Sequence, residues 1–298
     1  MGVRLRVNPV AVSFGVRMFR PFPSMPSWPC FPLTARCLAV CLVLIALFAR
    51  AASPATAPVT PDKSRTIEDL KLELLWVEPG SFTMGSASDE PQRHKAEGPQ
   101  TQVTITQGFW LGKTEVTQAQ YAAIAGSNPS TFQTSPDLPA ERVSWIDAMA
   151  FCRKLNERER AAGRLPDGFA YTLPTEAQWE YTYRAGTTGV FPGEVESSGW
   201  HQGNSGGSTH PVAQLKPSRW GFYDLAGNVA EWCYDWYGDY PGGTVADPSG
   251  PARGYYRIAR GGSWRADSRL GRSAARSGGS AGRLDYTLGF RLALCAVR

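Results

Sequence analysis

Three segments of the chain combine apolar residues at helical spacing with residues that begin and end helices. Each opens with Ser or Thr, carries Asp or Gln three residues later and closes at a glycine, which is the pattern of a capping box followed by a C-terminal glycine. The sequence therefore predicts three main capped helices. They begin at Thr117, Ser144 and Thr175 and end before Gly126, Gly163 and Gly186.

Short runs rich in β-branched and aliphatic residues predict strands at residues 74–77, 102–106, 257–259 and 289–294. Between residues 187 and 254 the chain is dominated by Gly, Pro, Ser, Asn and aromatic side chains, which predicts little regular structure there. Helices and strands with long irregular connections indicate an α+β domain of low secondary-structure content. Long irregular stretches usually need a fastener or a function.

The start of the chain has the features of an export signal. Arg36 is followed by twelve apolar residues (38–49) and then by the small-x-small site Ala49-Arg50-Ala51. A membrane-spanning helix needs about 20 apolar residues, so we expect cleavage; a retained anchor or a later start methionine is the alternative. We predict a signal peptide over residues 1–51, a linker over 52–69, one domain over 70–298, and a periplasmic or secreted location.

Charge is distributed unevenly along the chain. The formal net charge is +5, but six arginines precede residue 52, and without them 25 basic side chains face 26 acidic ones. A general basic surface for nucleic acid is therefore absent, and we expect no nucleic-acid partner. We expect a monomer whose ligand is a secreted peptide, a protein or a small molecule, with membrane contact only through an uncleaved leader.

Seven separated blocks occur in an order and spacing that resemble the formylglycine-generating enzymes, also called sulfatase-modifying factors. The blocks are PGSFTMGS (79–86), GKTEVTQAQY (112–121), VSWIDAMAFC (143–152), LPTEAQWEYTYRAG (173–186), GFYDLAGNVAEW (221–232), RGGSW (260–264) and LGFRL (288–292). The resemblance implies a variant of the C-type-lectin fold, which is α+β with little regular structure.

The block DLAGNVAE carries a candidate calcium site. Asp224 and Glu231 supply carboxylates, and the turn between them can direct backbone carbonyls to the same point, which suits a hard cation. The alternative from the residues alone is a plain turn with two solvated acids. The resemblance implies structural calcium bound by Asp224, the carbonyls of Gly227 and Val229, and Glu231.

The resemblance fails at the copper site of the family. Members that make formylglycine oxidise a substrate cysteine with O₂, using copper(I) held by two thiolates, the soft ligands that this ion prefers. The first of these positions is Ala266 here and the second is about Gly271, and no cysteine occurs between Cys233 and Cys295. The pocket tryptophan of the family is Ala230. We therefore expect no copper.

The segment RGGSWRADSRLGRSAAR (260–276) occupies the position of the family's active site. Its candidates for the pocket are Ser263, Trp264, Arg265, Asp267, Arg269 and Arg272. An arginine-lined pocket would favour a carboxylate, phosphate or sulfate group. The alternative is that arginines clamp loops through carboxylates such as Glu176, Glu180 and Asp235. We favour the clamp for Arg260, Arg276 and Arg291.

Three cysteines remain once the leader is removed. The resemblance implies a disulfide between Cys152 and Cys295, although Cys295 lies three residues beyond the family's position, and Cys233 fits a packed thiol. Three functions stay open. The first is a copper-free role, either another oxidative maturation of a secreted product, with Asp267 or Asp285 as base, or ligand binding. The second is formylglycine formation on a sulfatase. The third is a non-catalytic lectin-like binding module.

Overall fold

The computed structural model describes residues 62–297, which belong to one compact unit, Thr60–Arg298. The predicted signal peptide lies outside the described residues. Within residues 62–297 no helix is long and apolar enough to cross a membrane.

The helices confirm the capping patterns. Before each of the three main helices, the hydroxyl of the N-cap residue (Thr117, Ser144 or Thr175) accepts the backbone N–H of the residue three positions later. The Gln or Asp side chain at that later position accepts the backbone N–H of the N-cap residue in return. A fourth, single-turn helix was not predicted. The helices are α1 (Gln118–Ala125), α2 (Trp145–Ala161), α3 (Glu176–Arg184) and α4 (Val195–Ser198).

Fourteen strands run through the described residues. They are β1 (Ser64–Ile67), β2 (Leu72–Val77), β3 (Gly80–Met84), β4 (Thr101–Ile105), β5 (Phe109–Gly112), β6 (Phe169–Thr172), β7 (Gly199–Trp200), β8 (Ala226–Gly227), β9 (Ala230–Trp236), β10 (Thr244–Ala246), β11 (Arg257–Arg260), β12 (Arg276–Gly279), β13 (Leu288–Gly289) and β14 (Ala293–Ala296).

A five-stranded antiparallel sheet, ordered β1-β2-β5-β14-β6, separates two hydrophobic cores. Helix α2 packs on one face through residues that include Phe151 and Leu155, and α3 packs on the other face through Ala177 and Trp179. Because side chains alternate along a strand, Leu294 joins the α2 core and Ala293 the α3 core. Three smaller sheets are ordered β10-β4-β3, β12-β11-β9-β13 and β7-β8.

One predicted boundary is wrong, and one region holds more regular structure than its composition indicates. The linker predicted over 52–69 ends too late, because β1 and the buried residues Ile67 and Leu70 belong to the domain. The region 187–254 contains α4, β7, β8, β9 and β10, and β9 is an interior strand of the four-stranded sheet. Most residues of β9 are buried on both faces, so the strand lacks the alternation that would reveal it.

The predicted disulfide between Cys152 and Cys295 is not formed. Cys152 lies on α2 in the core that contains Leu294, whereas Cys295 points to the opposite face of the sheet and its sulfur contacts the Gln178 amide of α3 at 3.5 Å. An odd displacement along a strand moves a side chain to the other face. The offset of three residues from the family's position therefore separates the two thiols, and Leu292 occupies the side that faces α2.

Candidate functional site

A cleft of about 210 Å³ opens between β9, β11 and the segment after β11, and Ser263 lies in its wall. Gly261 and Gly262 turn the chain there with φ of 93° and 72°, a region that disfavours side chains. The turn is closed by a hydrogen bond from Ala266 N to the Ser263 carbonyl (2.9 Å) and anchored by one from Trp264 N to the Asn228 carbonyl (2.8 Å). We call this space the Ser263 cleft.

Small side chains form much of the Ser263 cleft. Ala230, Ala259, Ala266 and Ala275 line it, and none of its described lining residues is Cys, His or Met. The hydroxyl of Ser263 makes no hydrogen bond to any described residue, although the residue is only 6% exposed. Gly271 lies outside this lining, and a Cβ there would contact Ala226 and Val195. Three hydroxyls line the cleft, but Ser277 donates to the Ala259 carbonyl and Thr287 to Asp285. The cleft therefore presents one hydroxyl without a described partner, that of Ser263, and no soft metal ligand.

Trp264 and Arg265 stand beside the cleft without lining it. The indole N–H of Trp264 donates to the Tyr286 carbonyl (3.1 Å), and its ring meets Phe132 edge-on. Arg265 is exposed, and its guanidinium donates to the Tyr286 hydroxyl above that ring. These two residues buttress the cleft wall.

Asp267 and Arg269 lie at the surface and pair with each other. The Asp267 carboxylate caps the short 3-10 helix Ser268–Gly271 by accepting the Arg269 N–H (3.0 Å), and the Arg269 Nε lies 3.2 Å from it. Both side chains are about half exposed. Their positions indicate a local loop cap.

The prediction that Arg272 is a pocket residue is wrong. Its guanidinium is 4% exposed and binds Glu97 with two nitrogens, at 2.7 and 2.8 Å, and Glu90 at 2.6 Å. Its hydrogen bonds with Glu97 raise its pKa, with a further contribution from Glu90, although burial opposes the charge. Arg272 therefore fastens residues 90–97 to the cleft segment and lies outside the lining of the cleft.

The clamp interpretation is correct for the other three arginines. Arg260 contacts Glu180 and Glu176, Arg276 makes a two-pronged contact with Glu176 (2.6 and 2.8 Å), and all of these side chains are at most 4% exposed. Arg291 binds Glu231 in the same fork geometry. Asp235 instead accepts the backbone N–H of Glu176. The arginine-rich stretch is mainly a set of buried fasteners.

The predicted calcium residues lie in a buried acidic cluster. Burial raises the pKa of Asp224 to about 6, with a further contribution from Glu231, and burial with the charges of both residues raises the pKa of Glu115 well above its usual range. Arg291 is the cation that the structure places against these three carboxylates. The cluster carries excess negative charge when ionised, which favours a cation.

The fit of this cluster to calcium is partial. One carboxylate oxygen of Asp224 is buried and lacks a hydrogen-bond partner, while the other accepts the Ala213 N–H (2.8 Å). Both oxygens of Glu231 already accept hydrogen bonds from Arg291, and Trp179 donates to one of them. Among residues 62–297 no group of three His, Cys, Asp or Glu side chains suffices for a metal, so calcium here needs backbone carbonyls as well.

Glu115 is the member of this cluster that the sequence did not identify. It accepts hydrogen bonds from the Asn228 amide (2.7 Å) and the Val229 N–H (2.9 Å), and it thereby fixes the turn that carries the predicted carbonyl ligands. Glu115 lies more than a hundred residues earlier in the chain than these partners. The sequence feature that could have identified Glu115 is its position in the family block GKTEVTQAQY (112–121), for which the sequence analysis predicted no functional residue.

The mixed sheets, the capped helices and the cleft held by arginine clamps define an α+β domain of the C-type-lectin-like class. The family model described as the sulfatase-modifying factor enzyme 1-like domain matches residues 61–296. The chain belongs to this family, the formylglycine-generating enzymes or sulfatase-modifying factors.

Individual relatives agree with this assignment. The formylglycine-generating enzyme of Streptomyces coelicolor is 35% identical over 180 residues, and the match covers 53% of this chain and about half (53%) of that relative's length. Treponema denticola variable protein 1 superimposes with a TM-score of 0.70 at 31% identity, covering 78% of this chain and 99% of that one. PvdO from Pseudomonas aeruginosa gives 0.69 at 26% identity, covering 79% and 99%.

Proposed function

We propose that the chain is an exported, calcium-bearing member of the family that binds a ligand in the Ser263 cleft and does not carry out copper-dependent cysteine oxidation. The observation that carries this proposal is the wall of the cleft. Where the family has its first copper thiolate the chain has Ala266, and no sulfur or imidazole occurs among the described residues that line the cleft. His201 lines an adjoining pocket with Ser263 and Gly271, but its Nε2 lies 2.9 Å from Glu196 and its Nδ1 accepts the Gly203 N–H. A methyl group offers copper(I) no electron pair.

The acids near the cleft favour binding over another oxidation that requires a base. Burial alone would raise the pKa of Asp285, but hydrogen bonds from Thr287 and Arg283 lower it below its ordinary value. Its oxygens accept both of these bonds at 2.5–2.6 Å. Asp267 is exposed and caps its own loop. Neither carboxylate points to a role in taking a proton from a ligand in the cleft.

The size of the Ser263 cleft suits one side chain or a similarly small group of a larger secreted ligand. Its volume of about 210 Å³ is below the range of about 300–1,000 Å³ for pockets that enclose a whole small molecule. The Ser263 hydroxyl supplies a donor and an acceptor for that group. Arg283 lies at the cleft but already binds Asp285 at 2.5 Å, so a strong preference for an anion is not expected.

Calcium belongs to the proposal as a structural ion. The partnerless oxygen of Asp224 and the carbonyls of Gly227 and Val229 are the residues that would hold it, with Glu231 shared with Arg291. When bound, the ion would offset the charge of the buried acids and pin the turn 224–231.

The decisive experiment offers the purified protein a Cys-x-Pro-x-Arg peptide, with and without copper(I), and follows the mass of the peptide. A cysteine-containing formylglycine-generating enzyme serves as the positive control. We expect no conversion of the cysteine, and elemental analysis of the same sample should find calcium without stoichiometric copper. Turnover of the peptide would show that the copper chemistry persists and would overturn the proposal.

A further inference from the structure

A second and larger cleft, of about 640 Å³, opens on the α3 side of the five-stranded sheet. It lies between the start of β5 and the end of β14 and shares none of its lining residues with the Ser263 cleft. Its volume is within the range of about 300–1,000 Å³ that is usual for pockets of small ligands. We call it the β5–β14 cleft.

The cleft exists because two neighbouring strands separate. The ladder between β5 and β14 ends at the pair Leu294–Trp110, whereas β14 stays paired with β6 as far as Ala296. The Val297 N–H then continues that pairing by donating to the Gly168 carbonyl (2.7 Å). Since hydrogen-bonding directions alternate along an antiparallel strand, the backbone N–H and C=O of Ala296 point towards Gly108, with which they do not pair.

Neutral polar side chains cover the floor of the cleft. Thr175 and Gln178 are each 7% exposed and are joined through the capping box of α3. The Thr175 hydroxyl accepts the Gln178 N–H (3.1 Å) and donates to no described residue, so its proton is available to a ligand. The Gln178 amide donates to the sulfur of Cys295, a weak acceptor. Thr172 and Ser249 add two further hydroxyls.

The charge of the cleft excludes an anionic ligand as the natural occupant. No Lys or Arg occurs among its described lining residues, and its carboxylate, Asp247, accepts the N–H and the hydroxyl of Thr106. Tyr234 adds an aromatic ring that is 42% exposed and that packs at a tilt against Trp145, at a centroid distance of 6.3 Å. A ring face beside uncharged donors and acceptors matches a molecule with an apolar face and many hydroxyls.

We propose that the β5–β14 cleft binds a neutral sugar residue. Sugar hydroxyls both donate and accept, as do the backbone groups of Gly108 and Ala296 and the side chains of Thr172, Thr175 and Ser249. The C–H face of the sugar stacks on Tyr234. An extended peptide is the less favoured occupant, because the unpaired stretch of the two strands is only about one residue pair long.

Cys295 makes this cleft measurable. It lines the cleft, whereas Cys152 and Cys233 are at most 1% exposed and burial raises the pKa of both thiols, that of Cys152 to about 12. Iodoacetamide should therefore alkylate Cys295 selectively among these three, and mass spectrometry of the digested protein reads each site separately. A ligand in the cleft should protect Cys295.

The probes are galactose, mannose, N-acetylglucosamine and lactose, first ranked by saturation-transfer NMR. At about four times the Kd of the best sugar, alkylation of Cys295 should slow about fivefold, since a fifth of the protein remains unoccupied. Tyr234→Ala should abolish the protection, and the isosteric Thr172→Val should weaken it. Tyr255→Ala is the matched control, because this tyrosine is 92% exposed and lies outside the cleft.

The proposal is wrong if no sugar gives an NMR signal or protects Cys295. It is also overturned if Tyr234→Ala and Thr172→Val are protected as well as the unaltered protein, or if Cys295 resists alkylation without sugar, which would mean that the cleft is closed. Protection by the uncharged peptide acetyl-Ser-Gly-Ser-amide in the absence of any sugar effect would assign the cleft to peptides instead. None of these outcomes depends on the ligand or the chemistry of the Ser263 cleft.

Discussion

Replacing Arg260 with leucine should destabilise the fold far more than replacing an exposed arginine of the same segment. The Arg260 side chain is inaccessible to solvent, contacts Glu180 and Glu176, and donates to the carbonyls of Ser273 and Ala275. Leucine leaves both carbonyls without these donors and removes one cation from two buried carboxylates. Breaking a buried ion pair from one side costs about 3–5 kcal/mol.

The remaining partners place the expected loss near the lower end of that range. Glu180 keeps Arg184 at 2.8 Å, and Glu176 keeps Arg276 at 2.6 Å. We therefore expect Arg260→Leu to lower the free energy of unfolding by about 3 kcal/mol. Arg269→Leu should lower it by less than about 1 kcal/mol, because its pair with Asp267 is half exposed and screened by solvent.

Urea unfolding followed by tryptophan fluorescence measures both free energies under the same conditions. If Arg260→Leu does not fold, Arg260→Lys keeps the charge but loses the fork geometry and should show an intermediate cost, while Arg269→Lys should show none. Equal stability of the Arg260 and Arg269 variants would contradict the clamp interpretation. It would favour the alternative interpretation, in which arginines of the segment 260–276 bind an anionic ligand.

Three further predictions concern other parts of the fold. Burial and the charge of Glu176 raise the pKa of Asp235 to about 7, so its contribution to stability is complete below about pH 4 and is lost as the pH rises through 7. Asp235→Asn should therefore remove up to about a few kcal/mol of the pH dependence of stability in urea titrations. Thr175→Ala removes the N-cap of α3 and should lower the unfolding free energy by about 1 kcal/mol, with Thr187→Ala as a milder control. If calcium binds the 224–231 turn, EGTA should lower the melting temperature and calcium should restore it; an Asp224→Asn variant that responds to EGTA as fully as the unaltered protein would contradict the assignment.

The features that sequence reasoning identified correctly depend on neighbouring residues. A helix cap needs only a hydroxyl at one position and Gln or Asp three residues later, so Thr117, Ser144 and Thr175 could be recognised without knowledge of the fold. The family blocks are equally local. Both the capping boxes and the family blocks can therefore be recognised from the sequence alone. The structure confirms the helices and the α+β fold that they predict.

The features that it missed depend on contacts between distant segments. Arg272 looked like a pocket residue because its partner Glu97 lies 175 residues away, and Glu231 looked like a free calcium ligand because Arg291 lies 60 residues away. Strand β9 was missed because burial on both faces erases the alternation of side chains. The pairing of Cys152 with Cys295 was wrong because the face of β14 that carries Cys295 follows from strand register, which the spacing of the cysteines does not fix.

If the copper chemistry is lost as we propose, the arginine clamps explain how the fold is retained. Arg260, Arg272 and Arg276 tie the segment 260–276 to glutamates elsewhere in the domain, and none of them occupies the copper positions. The path of the segment is thus set by residues other than those that carry the reaction. Ala266 can replace a thiolate while the Ser263 cleft keeps its walls, because a methyl group changes the chemistry of the wall and leaves the clamps in place. Membership in the family therefore establishes the shape of this site, and only the residues inside the cleft can establish what it does.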